Sequence, residues 1–214
     1  MEFDIAMTDE LLSTTRAVRK RLDFDRPVPR SIIEDCIDLS QQAPTGTNSQ
    51  GWRWIVVEDA EKRAALAEIY RKGAQGYLTE QGRQAEQSGD RQTARVLDSA
   101  LFLAENLQHA PLHVIPCLQG RPPEGAPVIA YAGLMGSIFP AVWSFQLALR
   151  ARGLGSCLTS LHLIHEKEAA ELLGIPDDVL QVALLPVAYT RGTDFKKAAR
   201  PHPSTIMHWD SWQA

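Results

Sequence analysis

Residues 41–54 read QQAPTGTNSQGWRW, a turn that joins a helical pattern to an apolar run. Pro44 disfavours the helical region for the residue before it, so the preceding helix is expected to end there. Gly46 is expected to supply any positive φ that the turn needs. The amides of Asn48 and Gln50 can donate and accept hydrogen bonds in one plane, which suits the edge of a flat heterocycle. The alternative is an ordinary polar loop between a helix and a strand.

Helical and strand patterns alternate on both sides of this turn. Helices are predicted at residues 8–15, 31–43, 59–73, 93–109, 128–152 and 165–173. Strands are predicted at residues 52–58, 113–118 and 179–189, and a strand or loop at 155–161. Thr8 and Asp59 are expected to be N-caps, and Ser31 with Glu34 has the spacing of a capping box. This order predicts a single α/β or α+β domain over residues 1–214, in which helices cover a sheet of about four or five strands.

Composition and charge exclude several function classes. The net charge of −4 argues against a dedicated nucleic-acid binder, which usually carries a basic surplus. The first ten residues contain no apolar signal-peptide core, and the three cysteines are far apart and odd in number. Buried reduced thiols and a cytoplasmic location are therefore expected. His162 and His165 lack a third ligand at matching spacing, so no metal site is predicted.

Residues 126–149 form an uncharged stretch of 24 residues. The stretch is long enough to span a bilayer, but its glycines, serines, proline and glutamine favour a helix that is buried on all sides. A soluble chain of this length needs a source of cover for such a helix, and a second copy of the chain is the obvious source. We therefore expect a homodimer and no membrane span.

Two further segments differ from the rest of the chain. Residues 73–92 are polar and contain three further glycines, Gly76, Gly82 and Gly89, so they are expected to form a mobile excursion or a lid. Residues 192–214 form a C-terminal extension that is first basic and then aromatic.

Basic residues cluster near both ends of the chain. The first cluster contains Arg16 and Arg19, and the second contains Lys196, Lys197 and Arg200. Either cluster alone is readily explained as a solvated charged surface. Together with the turn at 41–54 they fit a phosphate clamp around flavin mononucleotide (FMN), because arginine donates bidentate hydrogen bonds to phosphate.

Four motifs, in order along the chain, resemble those of the FMN-dependent nitroreductase family. They are RAVR at residues 16–19, APTGTNSQGW at 43–52, GLGSCLTSL at 153–161 and KKAARP at 196–201. The sequence departs from the family pattern at Ala17, where serine is usual, at Thr45, and at Gly51, where proline is usual.

The resemblance implies an α+β fold with a central mixed sheet and a long helix buried in a dimer interface. It also implies a homodimer with two FMN sites, each built from both subunits. The implied roles are phosphate binding by Arg16, Arg200 and one of the tail lysines, and contact of Arg19 with the flavin C2=O edge. The full implied set is Arg16, Ala17, Arg19, Pro44, Thr45, Gly46, Asn48, Gln50, Thr159, Ser160, Leu161, Lys196, Lys197 and Arg200.

The activity implied by the resemblance is hydride transfer from NADH or NADPH, through flavin N5, to a nitroaromatic or quinone acceptor in a ping-pong cycle. No side chain is singled out as a catalytic acid or base. Two alternatives stay open at this point: a flavin-dependent dehalogenase or flavin-fragmenting enzyme of the same fold, and a flavin-binding protein with little turnover.

Overall fold

The computed structural model describes the backbone of residues 2–212 and the side chains of these residues except that of Glu86. The first residue of the predicted domain and the last two of its C-terminal extension lie outside the described residues. Six α-helices make up nearly half of the described chain. They are α1 (Ile5–Thr14), α2 (Arg30–Ser40), α3 (Ala60–Ser88), α4 (Arg91–Asn106), α5 (Val128–Ala151) and α6 (Glu166–Leu173).

Six strands form one sheet. They are β1 (Leu22–Asp23), β2 (Trp52–Val57), β3 (Leu112–Gln119), β4 (Leu154–Ser156), β5 (Val179–Gln181) and β6 (Leu185–Thr190). The main path runs β1-β6-β3-β2, while β4 pairs with β6 and β5 with β3. These strand pairs are antiparallel, and an isolated bridge between Ala17 and Ser156 is parallel. The α+β class is confirmed, and the parallel part of the predicted mixed sheet is reduced to this bridge.

Strand β3 lies at the centre of the sheet between two apolar layers. Ile115 and Cys117 belong to the apolar cluster that includes α3 and α4. Val114 and Leu118 point to the opposite face and belong to the cluster that includes α2 and α5. Because helices cover both faces, the first seven residues of β3 are buried and the strand reads as a continuous apolar run. The predicted buried strand is confirmed.

The long uncharged helix is present as α5, close to its predicted bounds. Its second half is a core element of the subunit, with Ile138, Val142 and Phe145 fully buried. Its first half is largely exposed, and Val128 and Ile129 keep 83% and 76% of their surface accessible. By length and composition α5 could cross a membrane, a test that core helices of soluble proteins also pass. The prediction was a helix covered on all sides with the help of a second copy of the chain. The subunit itself buries the second half of α5, and the cover of the first half stays a prediction.

The predicted strand at 179–189 is divided by a β-bulge. Gln181 opposes Cys117 and Leu185 opposes Val114, so four steps along one strand span three steps along β3. An extra residue of this kind bends the strand and interrupts its ladder. The bulge turns Leu184 toward Thr159, whose N–H donates to the Leu184 carbonyl at 3.0 Å.

Two predicted helix starts are wrong. Helix α1 begins at Ile5 instead of residue 8 because Asp4 is the N-cap, and its carboxylate accepts from the Met7 N–H at 3.0 Å. Helix α2 follows Pro29, which makes no side-chain capping bond, so the predicted capping box does not form. Asp59 does cap α3, where its carboxylate accepts from the Lys62 N–H at 2.8 Å.

Residues 73–92 are mostly helical and form no irregular excursion. Helix α3 continues past its predicted end at residue 73 to Ser88, and α4 begins at Arg91. Local side-chain pairs stabilise this polar stretch, since Arg83 and Gln84 both donate to the Glu80 carboxylate. A lid function for the segment stays a prediction.

Two buried histidines lie between the sheet and its surrounding turns. The His113 ring nitrogen Nε2 is 2.8 Å from the Leu107 carbonyl, and His162 is fully buried. Among the described residues, neither His162 nitrogen has a hydrogen-bond partner, nor has Nδ1 of His113. Burial lowers the pKa of each imidazole from 6.5 to about 4, so both are neutral in the folded protein near pH 7.

These histidines make the fold sensitive to acid. The unfolded chain takes up protons on histidine below about pH 6.5, whereas the folded chain does so only near pH 4. The free energy of unfolding is therefore expected to fall by about 1 kcal/mol per pH unit for each histidine as the pH drops through this window. Urea unfolding across the window measures the slope, and His162→Leu should reduce it. Equal slopes for the wild type and His162→Leu would contradict the assignment.

Candidate functional site

A cavity of about 990 Å³ lies between three segments that are distant in sequence. We call residues 16–21 the arginine segment and residues 194–200 the basic tail, and the third wall is the first half of α4. Six residues of the implied cofactor site line this cavity: Arg16, Ala17, Arg19, Lys196, Lys197 and Arg200. The structure therefore brings the two predicted basic clusters together.

The arginine segment is held against β4. The Val18 N–H donates to the Ser156 carbonyl at 2.9 Å, and the Val18 side chain is buried in the core. Its neighbours Ala17 and Arg19 line the cavity on the other side. A Cβ at Gly155 would lie 3.0 Å from the Val18 Cβ, so the small residues of the GLGSC motif allow this close approach.

Arg21 fixes the basic tail beside the arginine segment. Its guanidinium donates to the Asp194 carboxylate at 2.6 Å and, through Nε, to the Arg191 carbonyl at 2.9 Å. The same guanidinium lies 4.2 Å from the centre of the Phe195 ring, and the Arg150 guanidinium lies 4.8 Å from it. These contacts place the lysines and arginine that follow at the rim of the cavity.

The cavity has a large excess of positive charge. Asp194 is the acidic residue in its lining, and eight basic residues share that lining: Arg16, Arg19, Lys20, Arg21, Arg95, Lys196, Lys197 and Arg200. Arg21 pairs with Asp194, and Lys20 pairs with Asp98 at 2.6 Å. Within the described part of the chain, the other six form no salt bridge. A cavity with this lining attracts anions, and its guanidinium groups can bind phosphate or carboxylate.

One face of α4 adds three lining residues beyond those that the sequence motifs indicate. Gln92, Arg95 and Ser99 line the cavity. Their spacing of three and four residues places them on one side of a helix. This spacing is the feature of the sequence from which a shared polar face could have been predicted. Arg19 Nη1 donates to Ser99 Oγ at 3.2 Å, which joins this helix to the arginine segment.

Residues 159–161 lie near the Arg19 end of the cavity without lining it. The Thr159 hydroxyl donates to Tyr70 Oη at 3.0 Å. Burial raises the pKa of Tyr70 and of Cys157, and the nearby Arg19 guanidinium partly offsets both effects. Among the described residues, no hydrogen bond is found from the Ser160 N–H, which leaves it available to a ligand.

The loop at residues 45–50 lies elsewhere in the subunit. Its members of the implied site, Thr45, Gly46, Asn48 and Gln50, do not line the cavity, and neither does the preceding Pro44. The Gly46 N–H donates to Ser137 Oγ on α5 at 3.1 Å, and Trp52 Nε1 donates to the Ser137 carbonyl at 2.8 Å. The loop is thus anchored beside the largely exposed first half of α5.

The left-handed residues of this loop differ from the prediction. Gly46 does not have a positive φ, whereas Thr47, Asn48 and Gln50 have φ values of 53°, 55° and 48°. The expectation that Gly46 supplies the positive φ is therefore wrong. Left-handed backbone is unfavourable for residues with a Cβ, and threonine and glutamine lack the local compensation that asparagine can find. Backbone strain of this kind is often found at ligand sites.

The fold and this cavity define an α+β protein with a large basic cavity beside its central sheet. The chain belongs to the Nitroreductase family, whose model matches residues 12–189. The recognition made from the four sequence motifs is confirmed. The match ends before the basic tail, so the assignment of Lys196, Lys197 and Arg200 rests on the cavity.

Relatives of two activities are similar to this chain. A chloronitrobenzene nitroreductase of Comamonas testosteroni is 25% identical over 82% of this chain and 83% of its own length. An iodotyrosine deiodinase of Drosophila melanogaster is 28% identical over 92% of this chain and 68% of its own length. The crystal structure of an oxidised iodotyrosine deiodinase bound to FMN and 3-iodo-L-tyrosine matches with a TM-score of 0.71 and 22% identity, over 95% of this chain and 98% of that one. The last comparison supports the fold.

Proposed function

We propose that this protein is an FMN-dependent oxidoreductase that takes hydride from NADH or NADPH and reduces a nitroaromatic or quinone acceptor. The observation that carries the proposal is the convergence of the arginine segment and the basic tail on one cavity. Neither cluster is explained by salt bridges within the described residues, and a phosphate monoester would neutralise much of their charge. Family membership and the nitroreductase relative support the assignment to the oxidoreductases.

The residues present fit FMN. Arg16 and Arg200, with Lys196 or Lys197, would hold the phosphate, and Arg19 would face the pyrimidine edge of the ring. The Ser160 N–H would donate to the central ring. FMN, when bound, supplies the centre that accepts and donates hydride, while the protein orients the reactants. The loop at 45–50 would come from the partner subunit, which agrees with its position beside the exposed part of α5.

A second candidate function is reductive dehalogenation of a halogenated aromatic compound. The similarity to the Drosophila iodotyrosine deiodinase over most of this chain favours it. A protein that binds flavin without useful turnover is the third alternative. The expected cytoplasmic location has no support beyond the sequence and stays a prediction.

Turnover with matched acceptors distinguishes these functions. The FMN-loaded protein is mixed with NADH or NADPH, and then with a nitroaromatic, a quinone or iodotyrosine. We expect steady oxidation of the nicotinamide with a nitroaromatic or quinone. Iodide release without nitro reduction would favour the dehalogenase, and no turnover with any acceptor would favour the binding protein.

We also propose a homodimer centred on α5. Several of its apolar residues are exposed in the subunit, and their spacing places them on one side of the helix: Val128, Ile129, Tyr131, Phe139 and Trp143. Contiguous apolar surface of this kind marks an interface, and a second copy would cover it in a self-complementary way. The dimer would also bring the loop at 45–50 close to the cavity of the partner.

Ile129→Glu is expected to convert the dimer into a folded monomer with much weaker FMN binding, because a buried unpaired charge is costly. Light scattering and FMN titration measure the two effects. Val56→Glu, at a half-exposed position on β2, is the matched control and should remain dimeric. Ile138 is unsuitable for this test because it is fully buried within the subunit. A well-folded wild-type monomer at micromolar concentration would refute the proposal.

A further inference from the structure

Arg95 is a cavity-lining cation for which the described part of the chain provides no partner. It lies in the second turn of α4, and its side chain lines the cavity between Gln92 and Ser99. Among the described side chains, Arg95 has no hydrogen bond, ion pair or ring contact. Arg91 lies on the same helix, does not line the cavity and provides a natural comparison.

The position of Arg95 separates it from the basic tail. Ser99 is four residues further along α4 and accepts a hydrogen bond from Arg19, the residue assigned to the flavin ring. Four residues of helix correspond to about 6 Å along its axis. Arg95 is therefore close to the region where a second ligand would meet the flavin ring. The phosphate is assigned to Arg16 and Arg200 on the other two walls.

The cavity also carries more positive charge than FMN can neutralise. Six of its basic residues are outside salt bridges in the described part of the chain. A phosphate monoester supplies a charge of about −2 at neutral pH. A surplus of positive charge around a binding site raises the association rate and the affinity of anionic ligands.

We propose that Arg95 recognises an anionic group, a carboxylate or a phosphate, on the molecule that shares the cavity with FMN. This inference rests on the proposed function and narrows its substrate class. The anionic group has two sources: an acidic substituent on the aromatic acceptor, or the 2′-phosphate that distinguishes NADPH from NADH. Gln92, one turn earlier on the same face, offers an amide that can donate to the same group.

The inference can be tested by measuring binding affinities in the absence of a reductant, so that none of the ligands is turned over. Calorimetric titration of the FMN-loaded protein compares para-nitrobenzoate with para-nitrobenzamide, and NADP⁺ with NAD⁺. The members of each pair differ in the anionic group. The variants are Arg95→Gln and the control Arg91→Gln.

We expect the wild type to prefer the anionic member of at least one pair, and Arg95→Gln to weaken binding of that member by about tenfold or more. Arg91→Gln should bind like the wild type. A loss confined to nitrobenzoate identifies the acceptor as the source of the anionic group, and a loss confined to NADP⁺ identifies the donor.

Two results would overturn the inference: identical titrations for Arg95→Gln and the wild type, or a loss of FMN itself from Arg95→Gln. The second result would assign Arg95 to the flavin phosphate. A protein that takes up no FMN refutes the proposed function instead. Binding that depends on Arg95, in a protein without turnover, would support the inference while the proposed function fails.

Discussion

Gly73→Ala is expected to destabilise the protein by about 3 kcal/mol, in the upper part of the range for overpacked cores. A Cβ at this position of α3 would lie 2.1 Å from the Leu161 carbonyl oxygen and 3.1 Å from its carbonyl carbon. Both atoms belong to backbone, so the clash cannot be relieved by a side-chain rotation. Either α3 or residues 159–161 must move, and urea unfolding measures the cost.

Gly76→Ala is the control on the same helix. Apart from its chain neighbours and the adjacent backbone of its own helix, no described atom lies within 4 Å of a Cβ at this exposed position. Alanine should therefore stabilise the helix by about 0.5–1 kcal/mol, since glycine costs that much more in a helix interior. If Gly73→Ala were as stable as Gly76→Ala, the close contact between α3 and Leu161 would be refuted.

Arg16→Ala and Arg200→Ala are each expected to weaken FMN binding by about 1.5–3 kcal/mol, the contribution of a charge-assisted hydrogen bond. Both residues line the cavity, and Arg16 reaches the tail, where its Nη1 lies 3.5 Å from the Lys196 carbonyl oxygen. Fluorescence titration of the FMN-free protein with FMN measures the affinity.

Arg30→Ala is the control for the arginine variants. Arg30 pairs with Glu58 at the surface near β2 and does not line the basic cavity. Its replacement removes the same charge and should leave the FMN affinity unchanged. Wild-type affinity in both Arg16→Ala and Arg200→Ala would remove the phosphate assignment.

The elements predicted best from the sequence are those whose faces are all apolar, because they appear as continuous apolar stretches. Strand β3 faces apolar layers on both sides, so its sequence is a continuous apolar run. Neither the buried half nor the exposed half of helix α5 has a polar face. The uncharged stretch therefore covers nearly the whole helix, and the predicted bounds are almost correct. The lack of a polar face already indicated that a second chain would cover part of α5, but the apolar pattern did not show which half the subunit itself buries.

The second half of α3 was missed because its helix lacks a clear apolar face. Its glycines and polar residues are typical of a loop, yet each glycine costs only about 1 kcal/mol relative to alanine. Buried Ala74 and Leu78, and the pairs around Glu80, supply the stabilisation. Such sparse contacts are difficult to recognise from sequence.

Part of the candidate site, the two basic clusters, could be predicted from the sequence, whereas the contribution of α4 and the conformation of the loop at 45–50 could not. The two basic clusters were found because arginine and lysine residues that are close in sequence indicate an anion site. The position of Arg95 in the cavity lining was missed, because it depends on which face of α4 meets the cavity. The left-handed conformations of Thr47 and Gln50 were missed because anchoring to Ser137 on α5 maintains them, and that contact spans about ninety residues of sequence.

The FMN content of the protein is the decisive measurement for FMN binding in the basic cavity. The protein is freed of flavin, titrated with FMN and desalted, and the bound flavin is measured by absorbance against protein concentration. We expect saturable binding of one FMN per chain that survives desalting. Absence of bound FMN, or equal binding of FMN and of riboflavin without phosphate, would contradict the assignment of the basic cavity.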